Sequence, residues 1–353
     1  MKADFIVVGR GLAGSVLALR LIHSGFKVIS IDNPALSSST RVAAGLINPL
    51  SFRKISFTWR AQEAILEAER FYKKVEETSR IRFYYPSGIC RIFGSEHEAL
   101  TWKQLLLQNE FAEHIAPAGT FDHGSFINAP FGSGLVKTGG YISTGSFLTA
   151  ALNLLSREAF TIHETFDPEE VRFKTDSLQY REFTAAAIIL CEGWKSSVAP
   201  WFSYLPFRPA KGEVLTIKTS GLPEIPFVAS AYGVPVGDSL YKIGATYEWG
   251  QQHENPTETQ RQVLEKRLTT LLRTNFSIEA HVAGIRPTIV DRRPLMGRHP
   301  RYENLWIFNG LGTRGALLAP LLSKEFVNAL SGNAEINGAS DINRFLKYYA
   351  PQG

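Results

Sequence analysis

A glycine-rich segment near the N-terminus has the residue types and spacing of a diphosphate site. Gly9, Gly11 and Gly14 lie between an apolar run and a helical pattern. A pyrophosphate can therefore lie at the helix N-terminus, where free N–H groups point outward. Asp32 ends the next apolar run, and a carboxylate there accepts hydrogen bonds from ribose hydroxyls and repels a 2′-phosphate. This pattern favours FAD or NAD over NADP.

A second glycine-rich segment, residues 310–315, again separates a strand pattern from a helical pattern. No acid-ended strand follows it, so we do not expect a second complete dinucleotide site. Two interpretations remain open. The helix N-terminus can be directed at the same cofactor and stabilise negative charge on its reduced ring, or the glycines can simply let a helix pack closely on a strand.

Patterns for other chemistries are missing from the sequence. It contains neither a Gly-x-Ser-x-Gly segment nor a Gly-x-x-x-x-Gly-Lys loop, which disfavours serine hydrolases and P-loop NTPases. Cys90 and Cys191 are far apart and lack the spacing of zinc ligands. We therefore expect two buried thiols and no metal site.

The rest of the sequence shows two patterns of secondary structure. Residues 4–8, 12–23 and 27–32 alternate as strand, helix and strand, which predicts one βαβ unit. The same nucleotide domain is expected to contain a helix at 147–155, a buried strand at 185–190, a strand at 305–309 and a helix at 316–330.

The second pattern is rich in strands. An antiparallel sheet with one covering helix, begun by Asn255 and Pro256, is predicted from strands at 213–218, 226–236, 240–247 and 277–285. Further helices are predicted at 61–80 and 96–109.

Composition sets broad limits on the function. The 353 residues exceed what one core usually organises, so two structural units are expected. The net charge of +5 fits nucleic acid, an acidic substrate or a cofactor diphosphate. Because the N-terminus lacks a signal-peptide pattern and no apolar run approaches ~20 residues, we expect a cytoplasmic protein without membrane insertion.

These segments together resemble the FAD-dependent D-amino-acid oxidase superfamily, and most nearly its glycine oxidase and sarcosine oxidase branch. The resemblance spans the chain and is carried by residues 4–32, 41–46, 139–143, 187–193 and 284–320. It implies a discontinuous α/β FAD-binding Rossmann-like domain and an α+β substrate domain with an antiparallel sheet. The domain segments expected for FAD binding are 1–82, 137–207 and 285–353, and those expected for the substrate are 83–136 and 208–284.

The resemblance also implies a set of residues for non-covalent FAD. It places the flavin against Ala44 and Gly45, the adenine side near Glu192 and Gly193, and the pyrimidine end near residues 312–317. The full set of expected cofactor-binding residues is Gly9, Gly11, Leu12, Ala13, Gly14, Asp32, Asn33, Arg41, Ala44, Gly45, Leu46, Glu192, Gly193, Gly310, Gly312, Thr313, Gly315, Ala316 and Leu317.

By the same resemblance, Arg286 in Gly284-Ile285-Arg286-Pro287 is expected to bind a substrate carboxylate, with Tyr232 assisting it. A guanidinium fork matches a carboxylate bidentately, and it would hold the substrate α-carbon for hydride transfer to flavin N5. Alternatively, Arg286 pairs with Asp291 and Tyr232 is a packed strand aromatic. Arg314 either assists catalysis or covers the flavin edge.

The function implied is oxidative deamination or demethylation of a small amine that bears a carboxylate. One alternative is an FAD domain that removes a carboxymethyl group from a wobble uridine of tRNA. The basic residues Arg286, Arg292, Arg293, Arg298 and Arg301 are compatible with that alternative. A non-catalytic flavin-binding protein is a third possibility.

Overall fold

The computed structural model describes residues 1–36, 38–120 and 125–350. The strands are β1 (Lys2–Val8), β2 (Val28–Ile31), β3 (Leu46–Ile47), β4 (Leu50–Ser51), β5 (Ser56–Phe57), β6 (Tyr84–Tyr85), β7 (Ile89–Ile92), β8 (Ile115–Ala116), β9 (Ser133–Val136), β10 (Gly140–Ile142), β11 (Phe160–Ile162), β12 (Val171–Phe173), β13 (Leu178–Tyr180), β14 (Phe183–Leu190), β15 (Ala210–Lys218), β16 (Phe227–Val228), β17 (Tyr232–Gly237), β18 (Leu240–Gly244), β19 (Glu248–Trp249), β20 (Ser277–Arg286), β21 (Leu295–Arg298) and β22 (Leu305–Asn309).

The α-helices are α1 (Leu12–His23), α2 (Ser39–Val42), α3 (Ala61–Ser79), α4 (Glu96–Leu105), α5 (Asn109–Ala112), α6 (Thr144–Glu158), α7 (Glu258–Leu271) and α8 (Gly315–Leu330). Short 3₁₀ helices cover Pro168–Glu170, Gly193–Ser197 and Ile342–Tyr348. None of the helices among the described residues is both long and apolar enough to cross a membrane.

A largely parallel sheet forms the nucleotide domain. Strands β11, β2, β1, β14 and β22 pair in parallel in that order. Alternate residues of β1 pack on opposite sides: Phe5 and Val7 contact the core under α1, α3, α6 and α8, whereas Ile6 and Val8 contact the other core. Burial on both faces explains the continuous apolar sequence of β1 and β14. The predicted α/β fold class is confirmed.

The second sheet has the order β19-β15-β18-β17-β16-β7-β9-β8, with β20 paired to the free side of β15. Its pairs are antiparallel except β16 with β7. Helix α7 covers one face, where Leu264, Leu268 and Leu271 pack against Leu215 and Ile243. The predicted antiparallel sheet with one covering helix is therefore present, and its other face is open toward the nucleotide domain.

Several predicted elements have different bounds. The strand expected at 240–247 ends at Gly244, and the helix expected at 147–155 runs from Thr144 to Glu158. The strand expected at 226–236 is the hairpin β16–β17, because the Ala229 N–H donates to the Ala231 carbonyl at 2.8 Å and turns the chain. Helix α7 begins after Thr257, whose hydroxyl caps it by accepting from Gln260 N, and not at Asn255 or Pro256. The helix expected at 96–109 ends at Leu105. The apolar residues up to Leu107 suggested a longer helix, but Leu107 is exposed and does not pack against the core.

The division into five domain segments stays a prediction, and the strands of the proposed segments are distributed over the sheets as follows. Strands from segments 83–136 and 208–284 share the antiparallel sheet, apart from β6, which pairs with β10 in a small sheet with β3. Strand β20 continues to Arg286, two residues beyond the expected boundary at 284. The antiparallel sheet thereby delivers Arg286 to the junction with the nucleotide domain.

Candidate active site

One continuous cavity lies where the N-termini of two helices meet. The first turn of α1 contributes Gly11, Leu12 and Ala13 to its lining, and the first turn of α8 contributes Gly315 and Ala316. The positive ends of two helix dipoles therefore face the same space, although the Leu12 N–H already donates to the Thr40 hydroxyl at 2.9 Å. This arrangement favours a ligand with negative charge.

Close packing explains the glycine spacing at α1. A Cβ on Gly14 would lie 1.8 Å from the Gly9 carbonyl oxygen, and one on Gly9 would lie 2.7 Å from the Cys191 carbonyl oxygen. Gly9 has a φ of +94°, which side chains rarely adopt. Gly9 lines the cavity, whereas Gly14 lies behind it, between the helix and its loop.

Asp32 lies directly after β2, at the edge of the cavity. Its Oδ1 accepts the Arg10 backbone N–H at 3.1 Å. The Arg10 side chain is buried and donates to the carbonyls of Ser30 and Asp32 at 3.4 and 3.1 Å. Asn33 also lines the cavity and donates to the Thr165 hydroxyl at 2.9 Å. The acid is thus held in place by the loop of the glycine motif.

The segment containing Arg41, Ala44, Gly45 and Leu46 forms one wall of the cavity. The ammonium of Lys242 holds this segment by donating to the carbonyls of Arg41, Val42 and Ala43 at 3.0, 3.3 and 3.0 Å. Burial lowers the pKa of Lys242. Lys242 was not predicted from the sequence. Its position in β18 between the core residues Tyr241 and Ile243 indicates that it lies on the opposite face of the sheet, toward the cavity.

Glu192 and Gly193 follow β14 and line the cavity. Burial raises the pKa of Glu192 to about 7, and Lys195 opposes this shift. The carboxyl group is therefore partly protonated near neutral pH.

Arg286 and Tyr232 both line the other end of the cavity, over the antiparallel sheet. They lie on β20 and β17, with β15 and β18 between them. A Cβ on Gly212 would lie 2.1 Å from the Arg286 guanidinium, and one on Gly244 would lie 2.7 Å from the Tyr232 hydroxyl. The two glycines clear the space in which the long side chains lie across the intervening strands.

The guanidinium of Arg286 has few partners within the protein. One N–H donates to the Thr246 carbonyl at 3.4 Å, and the Tyr247 ring lies 5.2 Å away. No carboxylate of the described residues forms an ion pair with it. The alternative pairing with Asp291 is wrong, because Asp291 pairs with Arg344 at 2.9 Å. Burial lowers the pKa of Arg286, which remains a cation at neutral pH.

Tyr232 supplies a neutral phenol beside this cation. Burial raises its pKa to about 12, while Arg286 acts in the opposite direction. None of the described residues accepts from or donates to its hydroxyl. The phenol can therefore donate one hydrogen bond to a ligand.

Arg314 lies at the N-cap of α8, outside the cavity lining. Its guanidinium donates to the carbonyls of Asn48 and Leu50 at 3.1 and 3.2 Å. Gly310 and Leu317 also lie outside the lining, whereas Gly312 and Thr313 belong to it.

Both cysteines are buried free thiols, as predicted. Burial raises the pKa of Cys90 to about 12 and raises that of Cys191 as well. The part of the chain that the structure describes contains no His, Cys, Asp and Glu cluster suited to a metal ion.

The cavity fits a dinucleotide with a reactive ring at one end. It runs from Asp32 and Asn33, past the two helix N-termini, to the segment beside Tyr232 and Arg286. Comparison with protein families agrees with this geometry. The model of the family described as FAD dependent oxidoreductase, abbreviated DAO, matches residues 4–329. The chain belongs to this family. It is an FAD-dependent oxidoreductase, so the predicted cofactor, family and enzyme class are confirmed.

Individual relatives fall into two groups. Glycine oxidase of Pseudomonas putida is 24% identical and aligns over 100% of this chain and 99% of its own length. A bifunctional tRNA 5-methylaminomethyl-2-thiouridine biosynthesis protein of Marinobacter nauticus is 25% identical over 90% of this chain, which spans about half of that relative (54%). The solved glycine oxidase of Bacillus cereus has the same fold, with a TM-score of 0.80, 20% identity and coverage of 95% and 96% of the two chains.

Proposed function

We propose that this flavoenzyme oxidises a small amine bearing a carboxylate and that Arg286 binds the carboxylate. The supporting observation is a partly buried guanidinium that faces the cavity without a carboxylate partner among the described residues. A cation withdrawn from water without a counter-ion is costly, and an anionic ligand removes that cost. The planar fork suits the two oxygens of a carboxylate.

Tyr232 is proposed to donate a second hydrogen bond to the same carboxylate. Its raised pKa keeps the phenol protonated at physiological pH. Together the two side chains fix the orientation of the α-carbon, which lowers the entropic part of the barrier.

The remainder of the cavity is proposed to hold FAD. The N-terminus of α1 would receive the diphosphate, Asp32 a ribose, and the wall at Ala44 and Gly45 the flavin ring. When bound, FAD supplies the acceptor for the hydride that leaves the α-carbon as the amine becomes an imine. The N-terminus of α8 would stabilise negative charge at the same end of the cavity.

The described lining contains no histidine, and its carboxylates are Asp32, Glu164 and Glu192, all from the nucleotide domain. We therefore infer that no carboxylate or imidazole beside Arg286 removes the amine proton. The substrate would react as the neutral amine, and Arg286 and Tyr232 would contribute binding and orientation.

An anaerobic screen for flavin reduction tests this function. Glycine, sarcosine, D- and L-amino acids and modified nucleosides are mixed with the FAD-loaded protein, and loss of flavin absorbance is recorded. We expect reduction by at least one amine with a carboxylate and much slower reduction by the matching amide. Reduction by amines regardless of a carboxylate would contradict the proposal.

The tRNA-modifying alternative is retained because of the relative from Marinobacter nauticus. The basic cluster gives it less support than the sequence suggested. Arg286 faces the cavity, Arg293 lies over Trp59, and Arg301 lies over Tyr302. Binding of tRNA through several phosphates would weaken steeply with added salt, and oxidation of a small amine would not.

A further inference from the structure

Two aromatic rings and an arginine form a surface beside Arg286, here called the outer shelf: Tyr247, Trp249 and Arg208. The strand register places this shelf on the substrate side of the sheet. Ala210 of β15 pairs with Arg286 on one side and with Trp249 on the other. Residues paired across antiparallel strands present their side chains on the same face. Trp249 therefore shares the face of Arg286, two strand spacings or about 10 Å away.

The shelf is continuous with the carboxylate clamp. The Arg286 guanidinium lies 5.2 Å from the centroid of the Tyr247 ring. Tyr247 and Trp249 pack edge to face with centroids 4.9 Å apart, and the Arg208 guanidinium lies 4.2 Å from the Trp249 ring. The two rings thus lie between two cations. Because the quadrupole of an aromatic ring attracts a cation on its face, these contacts orient both rings.

The shelf remains accessible in spite of these contacts. Tyr247 is 44% exposed and Trp249 is 37% exposed. Arg208 is exposed as well, and none of the described carboxylates forms an ion pair with it. Accessible aromatic rings next to a ligand cavity are typical of an interaction site. Because Arg208 has no carboxylate partner among the described residues, its charge at the outer end adds complementarity to an anion.

We propose that the outer shelf binds a planar ring on the nitrogen substituent of the substrate, with an anionic group of that substituent at Arg208. This inference rests on the proposed function, since Arg286 must hold the carboxylate for the substituent to reach Tyr247. The substrate class is a secondary amine with a carboxymethyl group on one side and a ring-bearing arm on the other. A nucleobase in RNA and a free aromatic metabolite share this chemistry.

The ring is tested with N-benzylglycine, N-(cyclohexylmethyl)glycine and sarcosine as substrates of the FAD-loaded enzyme. We expect kcat/KM for N-benzylglycine to exceed that for the cyclohexyl compound by about 3- to 10-fold, from aromatic contact alone. Trp249→Ala should remove most of this ratio. A matched control is Tyr348→Ala, since Tyr348 is an exposed aromatic (51%) with a neighbouring cation, Lys347, outside the cavity lining. The control should retain the wild-type ratio.

A binding measurement separates recognition from turnover. Phenylacetate should bind the oxidised enzyme more tightly than acetate, judged by perturbation of the flavin spectrum, and Trp249→Ala should reduce this difference. The proposal is overturned if Trp249→Ala changes neither the kcat/KM ratio of N-benzylglycine to the cyclohexyl compound nor the affinity ratio of phenylacetate to acetate. If amino acids reduce the flavin but no N-substituted glycine does, the shelf proposal fails and the proposed function stands. If no amine with a carboxylate reduces the flavin, the proposed function fails instead.

Arg208 is tested with N-(4-carboxybenzyl)glycine, which adds an anion beyond the ring. Wild type should prefer it to N-benzylglycine, and Arg208→Gln should lose the preference. Competition by unfractionated tRNA that depends on Arg208 would identify RNA as the source of the ring. Absence of competition, with the preference intact, would identify a free aromatic amine.

Discussion

The two faces of strand β15 differ in whether a positively charged side chain has a counter-ion. On the cavity face, Gly212 lies under the guanidinium of Arg286, which has no carboxylate partner in the described structure. On the opposite face, Lys211 and Glu213 are fully buried and pair with each other at 2.9 Å. The two arrangements lie one residue apart along the same strand.

The paired face is completed by further hydrogen bonds. Lys211 donates to the Asn255 carbonyl at 2.6 Å, and Thr257 donates to Glu213 through its N–H at 2.9 Å and its hydroxyl at 3.1 Å. His281 Nε2 lies 2.8 Å from the same carboxylate. This network connects β15 to the start of α7, so its charges serve the fold. On the cavity face, no carboxylate of the described residues pairs with Arg286, and we propose that a ligand does.

The largest effect on stability is expected from breaking the paired face. Glu213→Gln would leave the Lys211 charge buried without a counter-ion, which typically costs about 3–5 kcal/mol of unfolding free energy. Urea unfolding of the FAD-loaded protein measures the loss. Glu265→Gln is the matched control, because the pair of Glu265 with Arg261 is exposed and should contribute about 0–1 kcal/mol. Equal effects of the two substitutions would contradict the contrast.

The cavity face should respond in activity rather than in stability. Arg286→Ala is expected to lower kcat/KM roughly thirtyfold to several thousandfold. This corresponds to a loss of about 2–5 kcal/mol of transition-state stabilisation. The unfolding free energy should change by about 1 kcal/mol or less, since the lost contacts are few and an unpaired charge is removed. Arg286→Lys should recover only part of the activity, because it keeps the charge and loses the fork. A large loss of stability with normal kcat/KM would reverse the assignment of the two faces.

A smaller effect is expected from the phenol. Tyr232→Phe removes one proposed hydrogen bond to the carboxylate. It should cost about 1 kcal/mol of transition-state stabilisation and lower kcat/KM accordingly. Steady-state kinetics at fixed FAD occupancy measures it. No change would show that Tyr232 is only a packed strand aromatic.

The smallest effect concerns alkaline pH. Because burial raises the pKa of Tyr232 to about 12, the phenol keeps its proton as the pH rises through its ordinary pKa of about 10. The inhibition constant of glycolate should therefore stay nearly constant between about pH 8 and pH 10.5. A weakening of inhibition centred near pH 10 that disappears in Tyr232→Phe would contradict this environment.

The opposite face should instead be sensitive to acid. Burial raises the pKa of Glu213, but the hydrogen bonds from Thr257 and Lys211 outweigh burial and leave the pKa below its usual range. Its stabilising contribution is therefore present above the ordinary carboxyl pKa and is lost as the pH falls through the folded value. The unfolding free energy of wild type and Glu213→Gln should be measured from pH 7 downward. Wild type should lose stability as Glu213 is protonated, and this part of the pH dependence should be missing in the variant.

Local sequence signals were sufficient for the nucleotide domain. The glycines at 9, 11 and 14, the apolar strands and Asp32 are all set by contacts within one βαβ unit, and the structure has that unit. The resemblance supplied Arg286 and Tyr232, and both line the cavity. Spacing alone does not indicate that these two residues line one cavity, since their proximity depends on strand pairing between distant segments.

Long-range pairing also explains what was missed. Lys242 reaches the carbonyls at 41–43 only because β18 lies over α2, some two hundred residues away in the chain. The outer shelf arises from the register of β19 on β15, which a propensity pattern does not give. The expected strand at 226–236 failed because small residues at 229–231 form a tight turn without glycine or proline.

We propose that Arg286 recognises the carboxylate of the substrate. The decisive measurement is kcat/KM for the best amine from the screen and for its primary amide, each with wild type and Arg286→Ala. Wild type should prefer the acid by about thirtyfold or more, and the variant should discriminate by no more than about threefold, with unchanged FAD content. If Arg286→Ala keeps the wild-type preference for the acid, the carboxylate is bound elsewhere.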